Sequence, residues 1–483
     1  MYQPELRLSR CVCLVTIVAA IAQAAVLHAG DDIAWFRRDH GVAPEGMPLP
    51  SEFGEGDERL WRVELPPGIS TPCLSGDSVF VTTYVAASRE LATVALDRTT
   101  GQVLWKQVAP TQTLEAFHAV GSPASSTPAC NGSRVFSFFG SYGMLCYDRS
   151  GQLLWERPLG PFQDEFGASS SPVLIGDKVI LNEDHDIDSF LIALDQKTGE
   201  VVWKTARDEA TRSYATPVVF DNHGRTEILV AGSRQLAAYD PNDGQKLWWF
   251  DGLSRIVDST PMVVSGKIYF ATWTPGGDSD DRIRMETFPM ALTTFDRNSD
   301  GEIGKDELPA GNPILERFFR IDLSQNQQLD QREWEKHALV FERAQNIAAA
   351  IRPGTRGPLP AENVSWTYRR SLPTVPSSVV YDGVLYMLKD GGIITSLDAS
   401  TGEILKQARA IGGGNYYASI VAGDGKVYLI SEGGVVTILK AGRDWNILGS
   451  FDFKERILAT PVIADGLMLI RTEVALYAFR GGE

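Results

Sequence analysis

Asp296, Asn298, Asp300 and Glu307 carry oxygen at the first, third, fifth and twelfth places of one short segment, with Gly301 sixth and Ile303 eighth. Oxygen donors at that spacing suit a hard divalent cation. Calcium takes six to eight oxygen ligands, and a single tight turn presents three side chains to a common point. Gly301 permits the bend, Glu302 offers its backbone carbonyl, and Glu307 is placed to close the shell with both carboxylate oxygens. Gly304, in the ninth place, leaves that ligand to water. Asp322, Ser324, Asn326, the Gln328 carbonyl, Asp330 and Glu333 repeat the arrangement downstream. The copy departs at Gln327, where the bend asks for glycine; a side chain held at positive φ costs about 1–2 kcal/mol. Weaker calcium binding, or a purely supporting role, is expected of this second loop.

Two such loops form an EF-hand pair, which joins through its eighth residues, here Ile303 and Leu329, as a short two-stranded contact. Residues 313–320 supply the helix between the loops and 334–343 the last helix. The module, residues 279–345, interrupts a β repeat that runs through the rest of the chain.

That repeat is marked by Asp97-…-Gly101-…-Trp105, Asp148-…-Gly151-…-Trp155, Asp195-…-Gly199-…-Trp203 and Asp240-…-Gly244-…-Trp248. Trp61 and Trp366 read as two further copies. Thr-Pro or Ser-Pro precedes an apolar run at Pro72, Pro128, Pro172, Pro217, Pro261 and Pro461, mostly about 45 residues apart. Each period holds four short strands, and such a unit buries both faces only by stacking on its neighbours. The expected fold is all-β: an eight-bladed β-propeller of four-stranded blades, with the small α-helical insertion between strands two and three of blade five. Residues 346–351 and Trp366 then resume that blade, so the propeller occupies 25–278 and 346–483. Residues 60–64 form an orphan fourth strand that would complete the last blade and remove both free edges. The tryptophans, large rings at a repeat-locked place, are expected to pack between blades. Lys406 and Leu448 take their place in blades six and seven.

Turns between strands one and two, and three and four, read as short throughout. The other turns are long and emerge together on one face with the insertion, so a ligand face is expected there, for a protein or polysaccharide partner. On it, Asn182-Glu-Asp-His-Asp-Ile-Asp188 reads as a solvated acidic turn, or as a holder for a cation or polar ligand. His118 and Arg212-Ser-Tyr214 are further candidates.

Residues 1–24 read as a signal peptide: Arg7 and Arg10, an apolar run from Cys11 to Ala22, then Ala22-Gln-Ala24. Export to the periplasm or the medium follows, with no stable span after cleavage; a retained anchor is the other reading. Leu8-Ser-Arg-Cys11 precedes the apolar run rather than following it, which argues against lipidation. Cys73, Cys130 and Cys146 remain. The last two belong to strands one and three of one blade, too far apart for easy bridging, so buried thiols are expected. A formal charge of −16 excludes nucleic acid as partner. A monomer is expected.

The Ala-x-Asp-x-x-Thr-Gly-x-x-x-Trp pattern, best seen from Ala193 to Trp203, is similar to the tryptophan-docking repeat of pyrroloquinoline-quinone-type propellers. With Trp35-Phe-Arg-Arg38 and Ser125-Ser-Thr-Pro128, the chain most resembles exported quinoprotein-like repeat proteins of planctomycete-type bacteria. The resemblance implies the propeller fold. Its catalytic members carry an adjacent cysteine pair, a haem motif and a calcium–Glu/Asn/Asp set; the chain has neither of the first two. Another relative, the propeller subunit of outer-membrane protein assembly, is a noncatalytic scaffold. The expected function is therefore that of an exported, noncatalytic, calcium-binding propeller acting in binding or as a scaffold. The alternative is a quinone-dependent oxidoreductase of alcohols or sugars; calcium is the expected cofactor, and the quinone a less favoured one. No catalytic residue is nominated.

Overall fold

A computed structural model describes residues 34–56, 58–278 and 282–482. The expected signal peptide lies outside these residues, as do the first positions of the insertion, 279–281.

Eight four-stranded antiparallel sheets follow one another along the chain. Blade one is typical: Cys73–Ser75, Ser78–Val85, Glu90–Asp97 and Val103–Val108, each paired to the next. The inner three strands are buried on both faces without alternation and are mostly apolar, with buried threonines among them; the fourth is largely exposed and alternates along its outer half. That difference is the mark of an inner strand covered by sheets on both sides and an outer strand half in water. Arg59–Glu64 pairs with Ala475–Arg480, so the N-terminal strand completes blade eight.

Tryptophan fixes the stacking. Trp61, Trp105, Trp155, Trp203 and Trp366 each donate an indole N–H to a carbonyl in the third turn of the next blade, those of Arg98, Arg149, Gln196, Pro241 and Ala399. The ring lies on the glycine of that turn. A Cβ at Gly199, whose φ is +70°, would sit 2.4 Å from Trp155. The glycine therefore meets two demands at once, left-handed backbone and room for the ring.

Three places depart from the expected pattern. The turn from strand three to strand four is long in blade five, residues 352–363, where the Asp-Gly turn is absent. Its Gly357–Pro358 adds a parallel fifth strand to blade four, and Trp248 turns to the buried Glu227 carboxylate at 2.7 Å instead. In blade seven the strand register sets Gly449, not Leu448, at the tryptophan place, because Leu448 is the extra residue of the bulge each fourth strand carries. At that junction the third strand of blade eight ends without a turn, and Phe53 packs edge-on against Tyr428 and Phe479. In blade six Lys406 does hold the tryptophan place.

Between the second and third strands of blade five, Lys267–Thr272 and Ile347–Ile351, the described residues form four α-helices: α1 (Phe288–Phe295), α2 (Pro313–Glu316), α3 (Phe318–Ile321) and α4 (Gln331–Arg343). The helix expected over 313–320 is divided at Arg317. The last helix starts earlier than expected because Asp330 and Glu333 form a reciprocal capping box at its N-terminus. A core of its own, around Phe288, Ile303, Phe318, Leu329 and Trp334, holds the module together.

Candidate functional site

The serine or threonine of each Thr-Pro or Ser-Pro marker lies at the start of an innermost strand, and these hydroxyls form a ring about the axis. The backbone N–H of Thr71 donates to the hydroxyl of Thr127, Thr127 to Ser171, Ser171 to Thr216, Thr216 to Thr260, Thr260 to Ser377, Ser377 to Ser419 and Ser419 to Thr460, at 2.9–3.3 Å. Proline keeps the preceding residue extended, which aims its N–H at the neighbouring blade. Ser377 and Ser419 keep the hydroxyl where the proline is lost. The sequence displayed this marker as a period without disclosing that the hydroxyl was the working part.

Within and above the ring is an axial cavity of about 450 Å³ that opens among the long turns. Its floor is the segment from Ala34. The Ala34 carbonyl accepts the Cys130 N–H of blade two at 2.7 Å, and Phe36 lines the cavity. Arg37 then donates to the carbonyls of Ser378 and Ile420, in blades six and seven, both at 2.8 Å. The segment thus crosses the axis and makes the cavity a cup.

His118 and Tyr214 line this cup. His118 packs on Phe166 at 5.2 Å, and the Tyr214 hydroxyl donates to Asp164. Arg212 is paired with Glu165 at 2.8 Å and with Asp186. The stretch expected as a solvated turn is the reverse: Asn182, Glu183, Asp184, His185 and Asp186 are all buried. Arg207 makes a two-pronged bond to Asp184 at 2.7 and 2.8 Å, and Arg212 does the same for Asp186. The strand-like backbone bridge between Asp184 and Ser213 draws the turn inward, and these arginines offset the cost of burying its charge.

A group of acids behind the cup was not legible in the sequence, because its members come from separate long turns and a strand end. Burial lifts the Glu115 carboxyl to about 8 and that of Asp164 to about 7, neighbouring carboxylates adding to both. Burial likewise raises Asp258 to about 7 and Glu183 well above the carboxylate range. Among the described residues, one oxygen each of Glu115 and Glu183, and both side-chain polar atoms of Asn182, have no hydrogen-bond partner.

The two acidic loops of the insertion adopt matching conformations. Ile303 pairs with Leu329 and Gly304 with Gln328. In loop one the N–H groups of Gly301, Glu302 and Asn298 donate to Asp296, Asp300 and Glu307; in loop two those of Gln327, Gln328 and Ser324 donate to Asp322, Asn326 and Glu333. Gln327 stands at φ +68°, the conformation Gly301 takes at +87°. Glu307 folds back over its loop, accepting from Arg297 and Gly304 on opposite oxygens. In donor chemistry and loop shape these residues fit a calcium ion. Their oxygens are engaged by loop amides, and among the described residues no three acidic, imidazole or thiol groups converge as a metal cage.

Cys73 and Cys130, from the first strands of blades one and two, bring their sulfurs to 2.8 Å, both buried. Cys146 is a buried thiol whose ionisation burial pushes up to about 12. Among the described residues no helix is long and apolar enough to cross a membrane.

The family model described as outer membrane protein assembly factor BamB, PQQ_2, matches residues 53–226 and 188–447. The chain belongs to this family. No curated protein matches the chain significantly. Among solved structures, it is similar to BamB from Moraxella catarrhalis, at 13% identity and TM-score 0.55 over 87% of this chain and 97% of that one. It is similar to a europium-containing methanol dehydrogenase, at 10% identity and TM-score 0.56 over 93% and 98%. It also resembles the computationally designed Ika8 protein, at 10% identity and TM-score 0.53 over 88% and 99%. At such identities the likeness is one of fold. Glu165, Asp258 and Asp390 line the same cup as Arg255 and Arg320.

Proposed function

We propose that the protein is an exported, calcium-binding propeller that holds a polypeptide partner in its axial cup and catalyses no reaction. One observation carries the reading: the cup is closed below by the segment from Ala34 to Arg37 and open above, where long turns of several blades and the insertion meet. Arg320 of α3 lines it beside Arg255 of the propeller, so the module and the scaffold share one rim. Family membership supports a binding role, since the solved BamB is similar over nearly its whole length. The module would bind calcium through Asp296, Asn298, Asp300, Glu302 and Glu307, and more weakly through Asp322, Ser324, Asn326, Gln328, Asp330 and Glu333.

The test is calorimetric calcium titration of chelator-stripped protein, with native mass spectrometry before stripping. One or two saturable sites are expected, the tighter lost in Asp296→Ala/Glu307→Ala while the β-sheet signal stays. A quinone mass in the native spectrum, or dye-linked turnover of an alcohol after adding quinone and calcium, would overturn the noncatalytic reading. Absence of calcium binding would overturn the module's assignment.

A further inference from the structure

Arg255 is 8% exposed and lines the cup. Among the described residues it makes no hydrogen bond and no carboxylate oxygen comes within 4.0 Å of its nitrogens, so its electrostatic neighbours there act at longer range. A buried guanidinium left in that state forgoes the interactions that normally offset its desolvation. Arg320 reaches the same cavity from α3, its Nε buried and without an acceptor. The two cations repel one another, Arg212 nearby adds to that repulsion, and the Glu165 carboxylate that would relieve it is already held by Arg212. An interior that sets two unpaired guanidinium groups on one cavity wall is built to receive an anion.

The rest of the wall narrows the choice. Glu165, Asp258 and Asp390 also face the cavity, so a doubly charged phosphate meets more repulsion than a singly charged carboxylate. A planar carboxylate matches the guanidinium fork. Phe36, Phe166, Tyr214 and Tyr417 supply ring faces to an organic body, and the hydroxyl ring supplies polar contacts below it.

We propose that Arg255 and Arg320 together bind the carboxylate of a ligand that enters from the long-turn face and lays an apolar or aromatic body on those rings. The proposal rests on the reading of the cup as the ligand face. The carboxylate could be that of a free organic acid or of a polypeptide C-terminus, and the two are separable. Because Arg320 precedes Asp322, the first residue of the second acidic loop, the site also joins the insertion to the cup.

The experiment titrates the full chain, calcium present and ionic strength fixed, with four probes: benzoate, benzamide, Gly-Gly-Gly-Phe with a free C-terminus, and the same peptide amidated. Binding is followed by saturation-transfer NMR. Both acids are expected to saturate, with their amides about tenfold weaker or worse, as loss of a charge-assisted pair implies. Tighter binding of the peptide acid assigns a chain terminus; tighter binding of benzoate assigns a small acid. Arg255→Gln and Arg320→Gln should each cost about tenfold for the acids and leave the amides unchanged. Since Arg320 is the less buried of the two, its variant keeps the test open if Arg255→Gln fails to fold. Amides binding as well as acids, inorganic phosphate displacing benzoate at lower concentration, or no saturable acid binding would each overturn the proposal. Acid binding that depends on both arginines, in a protein that turns over alcohols with added quinone, would instead retain the site and refute the noncatalytic reading.

Discussion

Trp445 of blade seven donates its indole N–H to the Ser396 hydroxyl of blade six at 2.8 Å. Ser396 is the strand partner of Lys406, which stands where other blades carry the docking tryptophan. The ring thus enters the slot from the opposite side, and Lys406 lies over it at 5.0 Å, donating to the Trp445 carbonyl at 2.6 Å. A slot that loses its tryptophan from one blade regains it from the next. Trp445→Ala should cost about 3–5 kcal/mol, the range for removing a buried aromatic ring, with a lowered urea midpoint. A loss under about 1 kcal/mol would mean that the junction is held by other contacts.

The hydroxyl ring makes a second prediction. Ser419→Ala removes the acceptor for the buried Ser377 N–H. Leaving that donor unpaired should cost about 1–3 kcal/mol. Equilibrium unfolding of Ser419→Ala beside Ser419→Thr checks it, since threonine keeps the hydroxyl. Equal losses in both would assign the effect to packing.

Acid and base should act on this fold in opposite senses. Glu115, Asp164 and Glu183 bind their protons more tightly folded than unfolded, because burial and their mutual charge disfavour ionisation. Their stabilisation is complete below the unfolded carboxyl value of about 4. It is lost as pH rises toward about 8 for Glu115. His337 has the contrary sign. Burial and the charges of Arg255, Arg212, Arg317 and Arg320 hold it neutral, down to about 3. Its contribution is present above about 6.5, the unfolded value, and is lost as pH falls below that. Glu115→Gln should therefore flatten the decline in Tm between pH 5 and 8, measured with chelator present. A slope identical to that of the parent protein would place the titrating group elsewhere.

Cys73 and Cys130 are positioned to close as a disulfide between blades one and two. Each thiol would lose a proton, and the electron pair would pass to the disulfide of an exchange catalyst, which is reduced to its dithiol. Protein isolated from an oxidising compartment should have an intact mass about 2 Da lower than the reduced form, with Cys146 alkylated after unfolding and Cys73 and Cys130 both protected. Alkylation of Cys73 and Cys130 in that sample would show that the pair stays reduced.

The repeat made the propeller legible because its markers are the residues that packing requires: tryptophan to fill a slot, glycine to receive it, proline to hold a strand extended. The insertion was legible because it breaks the period, and its two acidic loops because the spacing of their oxygen-bearing residues within one turn is local. What the sequence could not carry lies in contacts between distant turns. Asn182 to Asp188 reads as a solvated stretch until Arg207 and Arg212 are seen to fold over it. Glu115 and Asp164 are ordinary loop acids, and Glu183 an ordinary strand end, until the fold buries them beside one another. Trp445 lies off the repeat, and its role depended on a vacancy in the neighbouring blade. Local order therefore came from the periodicity of side-chain type. Burial, charge pairing and the unpaired state of Arg255 were decided only when closure of the ring set residues from separate blades against one another and shut out the water that would otherwise have solvated them.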